Sequence, residues 1–282
     1  MRFSATRLKS YMTCPLQARF KYSLHLPELQ SASASFGKII HACLQLYNEV
    51  DDVEVAVEKF KEWWDSPELL GCAPDYWPKG TDYSGFRTLG IEILYGYASN
   101  LQFEKRTVLA TEHGFLVPFG KHELTGFVDL IEIRKSGNGR RLLRLVDYKT
   151  ASRQPWKSDL FLDVQFTVYA YASLQREFWV GNGPEYPGIP NGEALFEEFA
   201  KVPRRPIWYH LRTNRDFDCG PRGDEQFQQL YRLCDEIERA EEHQVHIPRI
   251  GEASCTWCSY TNECGLAIPT ETEVREHEEA WI

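Results

Sequence analysis

Apolar positions along the first hundred residues recur at helical spacing. Leu8, Tyr11, Met12 and Leu16 mark one face of a helix that Ser4 can cap, and this helix carries Cys14 just before Pro15. Residues 36–47, FGKIIHACLQLY, place Ile40, Leu44 and Tyr47 on one side of a second helix. A more polar third helix is predicted over 53–65 and a fourth over 85–103. The Pro-, Gly- and Asp-rich stretch 66–83 between them reads as a surface loop. From 107 to 150 the pattern changes to strands: TVLATEHGFLVPF, HELTGFVDLIEIR and RLLRLVDYKT. Helix returns over 159–178. A Gly/Pro-rich loop, a strand around PIWYHLRT and a long helix over 223–244 follow. Helices on both sides of a small mixed sheet predict an α/β or α+β fold. The chain reads as one domain over 1–282, with a helical part at 1–105, a core at 106–222 and a terminal helix with a cysteine segment at 223–282.

The last two strands of the β region are separated by KSGNGR, a strong hairpin turn signal. A turn centred on Asn138 places Asp129 opposite Asp147, since the two are equally far from the centre. Directly opposed residues have Cβ atoms roughly 4.5–5.5 Å apart, and like charges so placed destabilise a sheet unless a cation lies between them. LIEI and LLRLV are apolar enough for central strands, where an unpaired aspartate is costly. A divalent cation answers that cost. Lys149, two positions after Asp147, points to the same face. The bland alternative is that Asp and Lys near strand ends are merely solvated, and a one-residue shift of the turn would break the pairing. Gln165 and Tyr169, four apart on a predicted helix, share a face. Alone, that pair and His41 on the second helix read as ordinary core or surface residues.

Composition narrows the setting. Eight cysteines in 282 residues are too few for a disulfide scaffold, and the cluster Cys255, Cys258 and Cys264, spaced C-x2-C-x5-C, reads as a grip on iron or zinc. The formal charge of −9 excludes a protein that coats nucleic acid by bulk attraction. Charge is nevertheless uneven. Residues 1–50 carry six Lys or Arg against Glu28 and Glu49, and residues 134–157 carry eight against Asp147 alone, whereas the tail beyond 270 is acidic. Two basic runs flanking the candidate site suggest a polyanionic partner. No stretch of about 18–20 apolar residues could cross a bilayer, and the N-terminus lacks a secretory apolar run, so no membrane partner and a cytoplasmic location are expected.

In order, FGKIIH ending at His41, GFVD ending at Asp129, DYK from Asp147 to Lys149, and QFTVY from Gln165 to Tyr169 resemble the four motifs of the RecB-like branch of the PD-(D/E)XK nucleases. Cys14-Pro15 with Cys255, Cys258 and Cys264 resembles its iron-sulfur subset, which includes CRISPR-associated exonucleases. The resemblance implies a restriction-endonuclease-like core whose N-terminal part and C-terminal segment are joined by a [4Fe-4S] cluster on Cys14, Cys255, Cys258 and Cys264. It also implies Mn2+ or Mg2+ held by His41, Asp129, Asp147 and the Tyr148 carbonyl, with Lys149 orienting the attacking water and stabilising the transition state. Gln165 and Tyr169 would position the substrate backbone. Arg7, Lys38 and basic residues after the hairpin are candidate phosphate contacts from charge alone. The implied activity is a DNA exonuclease acting on single strands or ends. Implied partners are DNA and helicase, recombination or CRISPR integration proteins. Residues 51–105 and 179–222 would be insertions relative to the CRISPR-associated members. No G-x4-G-K-[ST] loop is present, which implies a nuclease without that type of helicase motor. Two alternatives stand beside it. One is a non-catalytic iron-sulfur DNA-binding subunit. The other is a zinc-stabilised structural protein, with Cys43, Cys72, Cys219 or Cys234 as the fourth ligand.

Overall fold

The computed structural model describes residues 1–101, 106–135, 139, 141–199, 202, 204–256 and 258–265. Centre residue Asn138 of the expected turn and the acidic tail beyond 270 lie outside them. The chain runs β1 (Arg2–Ser4), α1 (Ala5–Thr13), α2 (Pro15–Tyr22), α3 (Ala32–Val50), α4 (Val53–Asp65), α5 (Tyr83–Leu101), β2 (Arg106–Phe119), β3 (His122–Lys135) and β4 (Arg141–Lys149). It continues with α6 (Lys157–Leu162), α7 (Val164–Ala172), α8 (Arg176–Val180), α9 (Gly192–Phe199), β5 (Arg205–His210), β6 (Arg215–Asp218), α10 (Asp224–Glu242), α11 (Glu252–Cys255) and α12 (Thr261–Cys264). The chain divides into two compact units. The larger comprises Met1–Ala5 and Gln30–Glu236, the smaller Thr6–Leu29 and the chain from Ile237 onward.

In the larger unit a six-stranded mixed sheet is flanked by helices, the α/β class expected from the strand and helix pattern. Its strands run in the order β1-β3-β4-β5-β6, with β2 also pairing with β3. β2 lines one edge of β3 antiparallel, joined to it by a two-residue turn in which Gly120 adopts φ +61. The other edge of β3 is shared. β1 pairs parallel with Glu123–Thr125, and β4 pairs antiparallel with Leu130–Lys135. Among the described residues, 126–129 between them have no strand partner on that edge. The sheet is therefore parted at Asp129.

Strand parity divides the side chains between two layers. Leu130, Val146, Tyr148, Ile207 and Tyr209 join Phe36, Ile40 and Leu44 of α3, Phe60 and Trp64 of α4 and Ile93, Leu94 and Tyr97 of α5 in one buried core. Three of the helices begin at a side-chain cap. Ser31 Oγ accepts from Ala34 N at the start of α3, Asp52 Oδ1 from Glu54 N and Val55 N at α4, and Asp163 Oδ1 from Gln165 N at α7. A predicted helix over 159–178 is instead three short helices, α6 to α8, because Asp163 caps a new helix and Gln175 adopts an extended backbone. β1 and β6, three and four residues long, are too short for alternation to reveal. Ser4 ends β1. The first predicted helix also breaks, at Cys14, whose extended backbone (φ −159) lets Pro15 start α2. Among the described residues no helix is long and apolar enough to cross a membrane.

The basic run at 134–157 is partly internal. Glu132 has no exposure and meets Arg106 at 3.4 Å, Arg134 at 2.7 Å and Arg144 at 3.0 Å. Arg144 also meets Asp216 at 2.7 Å. Arg134 and Arg144, two of the eight basic residues of the run, thus surround a buried carboxylate together with Arg106 and serve the fold. Removing a buried partner leaves uncompensated charge, which costs about 3–5 kcal/mol, whereas an exposed pair is worth under about 1 kcal/mol. Glu132→Ala should therefore lower the unfolding free energy in urea by about 3–5 kcal/mol. Glu123→Ala, which removes the half-exposed partner of Arg2, should cost under about 1 kcal/mol. Equal losses would contradict this assignment.

Candidate functional site

The parted edge of β3 gathers the sequence-predicted residues. The described pairing of β3 with β4, from Leu130↔Val146 to Lys135↔Arg141, keeps the register of a turn centred on Asn138 and would continue to Asp129 facing Asp147. Pairing stops one step earlier, and side chains take over. Asp129 Oδ2 accepts from the Tyr148 backbone N–H at 2.6 Å. On the same carboxylate oxygen His41 closes in, its Nδ1 3.4 Å away, while its Nε2 lies 3.0 Å from the Tyr148 carbonyl oxygen. α3 belongs to the layer packed on the Leu130 side of the sheet, so His41 reaches Asp129 where the strands are parted.

Asp147 is held from the other side. Lys149 Nζ sits 2.5 Å from its Oδ2, Gln165 Nε2 donates to its Oδ1 at 2.6 Å, and Tyr169 Oη donates to the same Oδ1 at 3.1 Å. Gln165 Nε2 also meets Tyr169 Oη at 2.8 Å, and that hydroxyl lies 2.6 Å from the Phe127 carbonyl on the parted edge. Gln165 and Tyr169, one turn apart on α7, thus share one carboxylate. His41, Asp129, Asp147, Tyr148, Lys149, Gln165 and Tyr169 are brought together. Lys38 lies on α3, where its Nζ donates to Gln30 Oε1 at 2.9 Å. Arg7 belongs to the smaller unit, with its guanidinium 5.5 Å over the Tyr22 ring.

The charges settle as two buried carboxylates side by side require. Burial works against ionisation of Asp129, but His41, the Tyr148 N–H and Lys149 outweigh it and hold the carboxyl below its usual range. Asp147 goes the other way, raised by burial and by Asp129 against the pull of Lys149. Burial likewise opposes the His41 imidazolium, yet Asp129, Asp147 and Glu112 outweigh it and raise its pKa to about 9. Lys149 is raised because Asp147 and Asp129 more than offset its burial. Positive groups thus stand where two carboxylates would otherwise repel.

One residue of the cluster was not foreseen from sequence. Glu112 on β2 brings Oε1 to 4.0 Å from His41 Nδ1, and the ligand atoms of His41, Glu112 and Asp129 all lie within 4.8 Å of one another. Burial, then the charges of Asp129 and Asp147, push its carboxyl up to about 7 despite the opposing imidazolium. The two-residue turn at Gly120 held the signal, since counting back from it sets Glu112 across from Asp129.

The cysteine segment forms a second feature, within the smaller unit. Cys14, Cys255, Cys258 and Cys264 line one small cavity with Leu16, Phe20 and Ile250, and none of the four is in a disulfide. Arg249 N donates to Cys14 Sγ at 3.4 Å. Burial raises the Cys258 thiol, with the Cys14, Cys255 and Cys264 sulfurs adding to the effect. Tyr260 packs against Phe20 with ring centroids 5.6 Å apart. Cys43, Cys72, Cys219 and Cys234 are instead buried in the larger unit.

An ATP-dependent helicase/deoxyribonuclease subunit of Ruminiclostridium cellulolyticum is 24% identical over 232 residues, which cover 68% of this chain but only 18% of that protein. Among solved structures, the crystal structure of SSO0001 aligns over 93% of this chain and 94% of its own, at 11% identity and a TM-score of 0.34. The sequence model of the PD-(D/E)XK nuclease superfamily matches residues 2–265, and the chain belongs to that superfamily.

Proposed function

We propose that this chain is a metal-dependent deoxyribonuclease of the RecB-like type, an exonuclease that hydrolyses phosphodiester bonds in single-stranded DNA or at DNA ends. One observation carries the reading: His41, Asp129, Asp147 and Lys149 converge where β3 is parted, in a chain whose superfamily typically uses Mg2+ or Mn2+. The donor set suits such an ion, with two carboxylates, an imidazole and the Tyr148 carbonyl beside it. The imidazole favours Mn2+ over Mg2+. When bound, the ion neutralises charge on the scissile phosphate and lowers the pKa of a bound water.

The chain's own residues do the remaining work. Asp129 and Asp147 fix the ion's place, each anchored by donors that keep it from turning away. Lys149, on the same strand face as Asp147, orients the attacking water and offers its charge to the phosphate as negative charge grows. Tyr169, 3% exposed, acts through Asp147, and Gln165 positions Asp147 beside the substrate backbone. Phe127 is 59% exposed two residues before Asp129, and Trp156 is 79% exposed soon after Lys149. Such rings suit stacking of unpaired bases, which supports a single-stranded substrate. Lys38 and Arg7 are proposed phosphate contacts. Helicase, recombination or CRISPR integration proteins are the proposed partners, and the relative's own name, a helicase/deoxyribonuclease component, supports the first of these.

The four clustered cysteines fit a [4Fe-4S] cluster, because four unbridged sulfurs line one cavity and a backbone N–H donates to one of them. Cys14, Cys255, Cys258 and Cys264 would hold it, tying the first helices of the smaller unit to its C-terminal segment. Zinc is the competing occupant. The non-catalytic alternative finds no support in the site, where Lys149 and both aspartates converge.

End-labelled single-stranded DNA incubated with Mn2+ should be degraded from its ends by the wild-type chain. Asp147→Asn should slow this by more than the 10–100-fold that outer partners of a metal site typically cost. Equal rates for the two proteins would refute the assignment. Protein purified without oxygen should be brown, with about four irons per chain and broad absorption near roughly 400 nm, and Cys258→Ser should lose both. A colourless wild-type protein carrying zinc would overturn the iron-sulfur proposal.

A further inference from the structure

We propose that Glu112 is a further side-chain ligand of the divalent ion, so that the site offers three carboxylates and an imidazole. The inference rests on the metal-site reading above and extends it to a residue outside the four motifs. β2 pairs with β3 on either side of Glu112, through Thr111↔Leu130 and His113↔Val128, and skips it. Glu112 adopts φ +42, a left-handed backbone that non-glycine residues seldom take and a bulky side chain takes least readily. The register of the Gly120 turn sets Glu112 across from Asp129, on the β2 side of β3.

Distances fit a shared ion. Ligands about 2.0–2.4 Å from one metal centre lie roughly 3–5 Å from one another. Asp129 Oδ2 is 3.4 Å and Glu112 Oε1 is 4.0 Å from the same nitrogen, His41 Nδ1, and the three ligand atoms lie within 4.8 Å. Charge points the same way. Asp129, Asp147 and Glu112 face His41 and Lys149, with both aspartates buried and the other three side chains partly exposed. An imidazole that ligates a metal must be neutral, which leaves three carboxylates against one ammonium. One divalent cation restores the balance. Among the described residues, the ion-pair partner of Glu112 is His41 and not Lys149, so no lysine or arginine stands in for that cation at Glu112.

Mn2+ titration of the purified chain without DNA, followed by the electron paramagnetic resonance of free Mn2+, tests the assignment without reference to activity. Wild type should bind Mn2+, and Glu112→Gln, of nearly the same shape, should bind it at least about tenfold more weakly with an unchanged circular dichroism spectrum. If Glu112→Gln fails to fold, Glu112→Asp serves, because aspartate accepts a left-handed backbone more readily. Its shorter reach should weaken binding by about tenfold as well. Equal Mn2+ affinity in wild type and a folded Glu112 variant would overturn the role of Glu112 while leaving the metal site in place. Absence of Mn2+ binding by wild type would overturn both.

Discussion

Repulsion between Asp129 and Asp147 is the constraint around which the larger unit is built. Two carboxylates buried side by side cannot both stay charged without help. Each surrounding feature supplies part of it: a backbone N–H and an imidazole for Asp129, an ammonium, an amide and a phenol for Asp147. The parted edge of β3 supplies the opening. With β1 at one end and β4 at the other, four residues of β3 lack a strand partner on that side, and the functional groups occupy that interval. A closed sheet would leave no place for the proposed ion.

Rigid surroundings hold those groups in place. Tyr148, between the two residues that carry the acid and the amine, is buried on the opposite layer, where its hydroxyl meets Tyr97 Oη at 2.5 Å and accepts from Asn48 at 3.2 Å. Arg106 joins Asn48, Tyr97 and Glu132. Tyr148, whose N–H binds Asp129 and whose carbonyl meets His41, is therefore anchored by its own side chain. Buried polar networks of this kind reward full satisfaction and penalise any gap. The cost of Glu132 amid arginines and the placing of Asp129 and Asp147 are thus parts of one arrangement.

Much of this was legible in the sequence, for physical reasons. Pairing across a short hairpin is arithmetic once the turn is placed, and the apolar runs on either side leave little freedom of register. Strand parity and the hairpin grouped Asp129, Asp147 and Lys149, and helical spacing grouped Gln165 with Tyr169, whereas His41 was singled out by the resemblance of the ordered motifs alone. Other features were hidden. Three-residue β1 has too few positions to show a period, although it sets one limit of the parted edge. Cys14 within a run of helical spacing did not reveal that the chain extends there before Pro15 begins a new helix. Arg134 and Arg144 counted only as part of a basic run because their partner, Glu132, is recognisable only once the strands are paired. Glu112 escaped notice because only the first hairpin of the region, not the second, places it.

Diffraction from crystals soaked in Mn2+, recorded at the manganese absorption edge, tests the central claim most directly. An anomalous peak within about 2.5 Å of His41, Asp129 and Asp147 ligand atoms is the predicted result. Manganese bound elsewhere on the chain, with those three side chains turned apart and no peak between them, would contradict it.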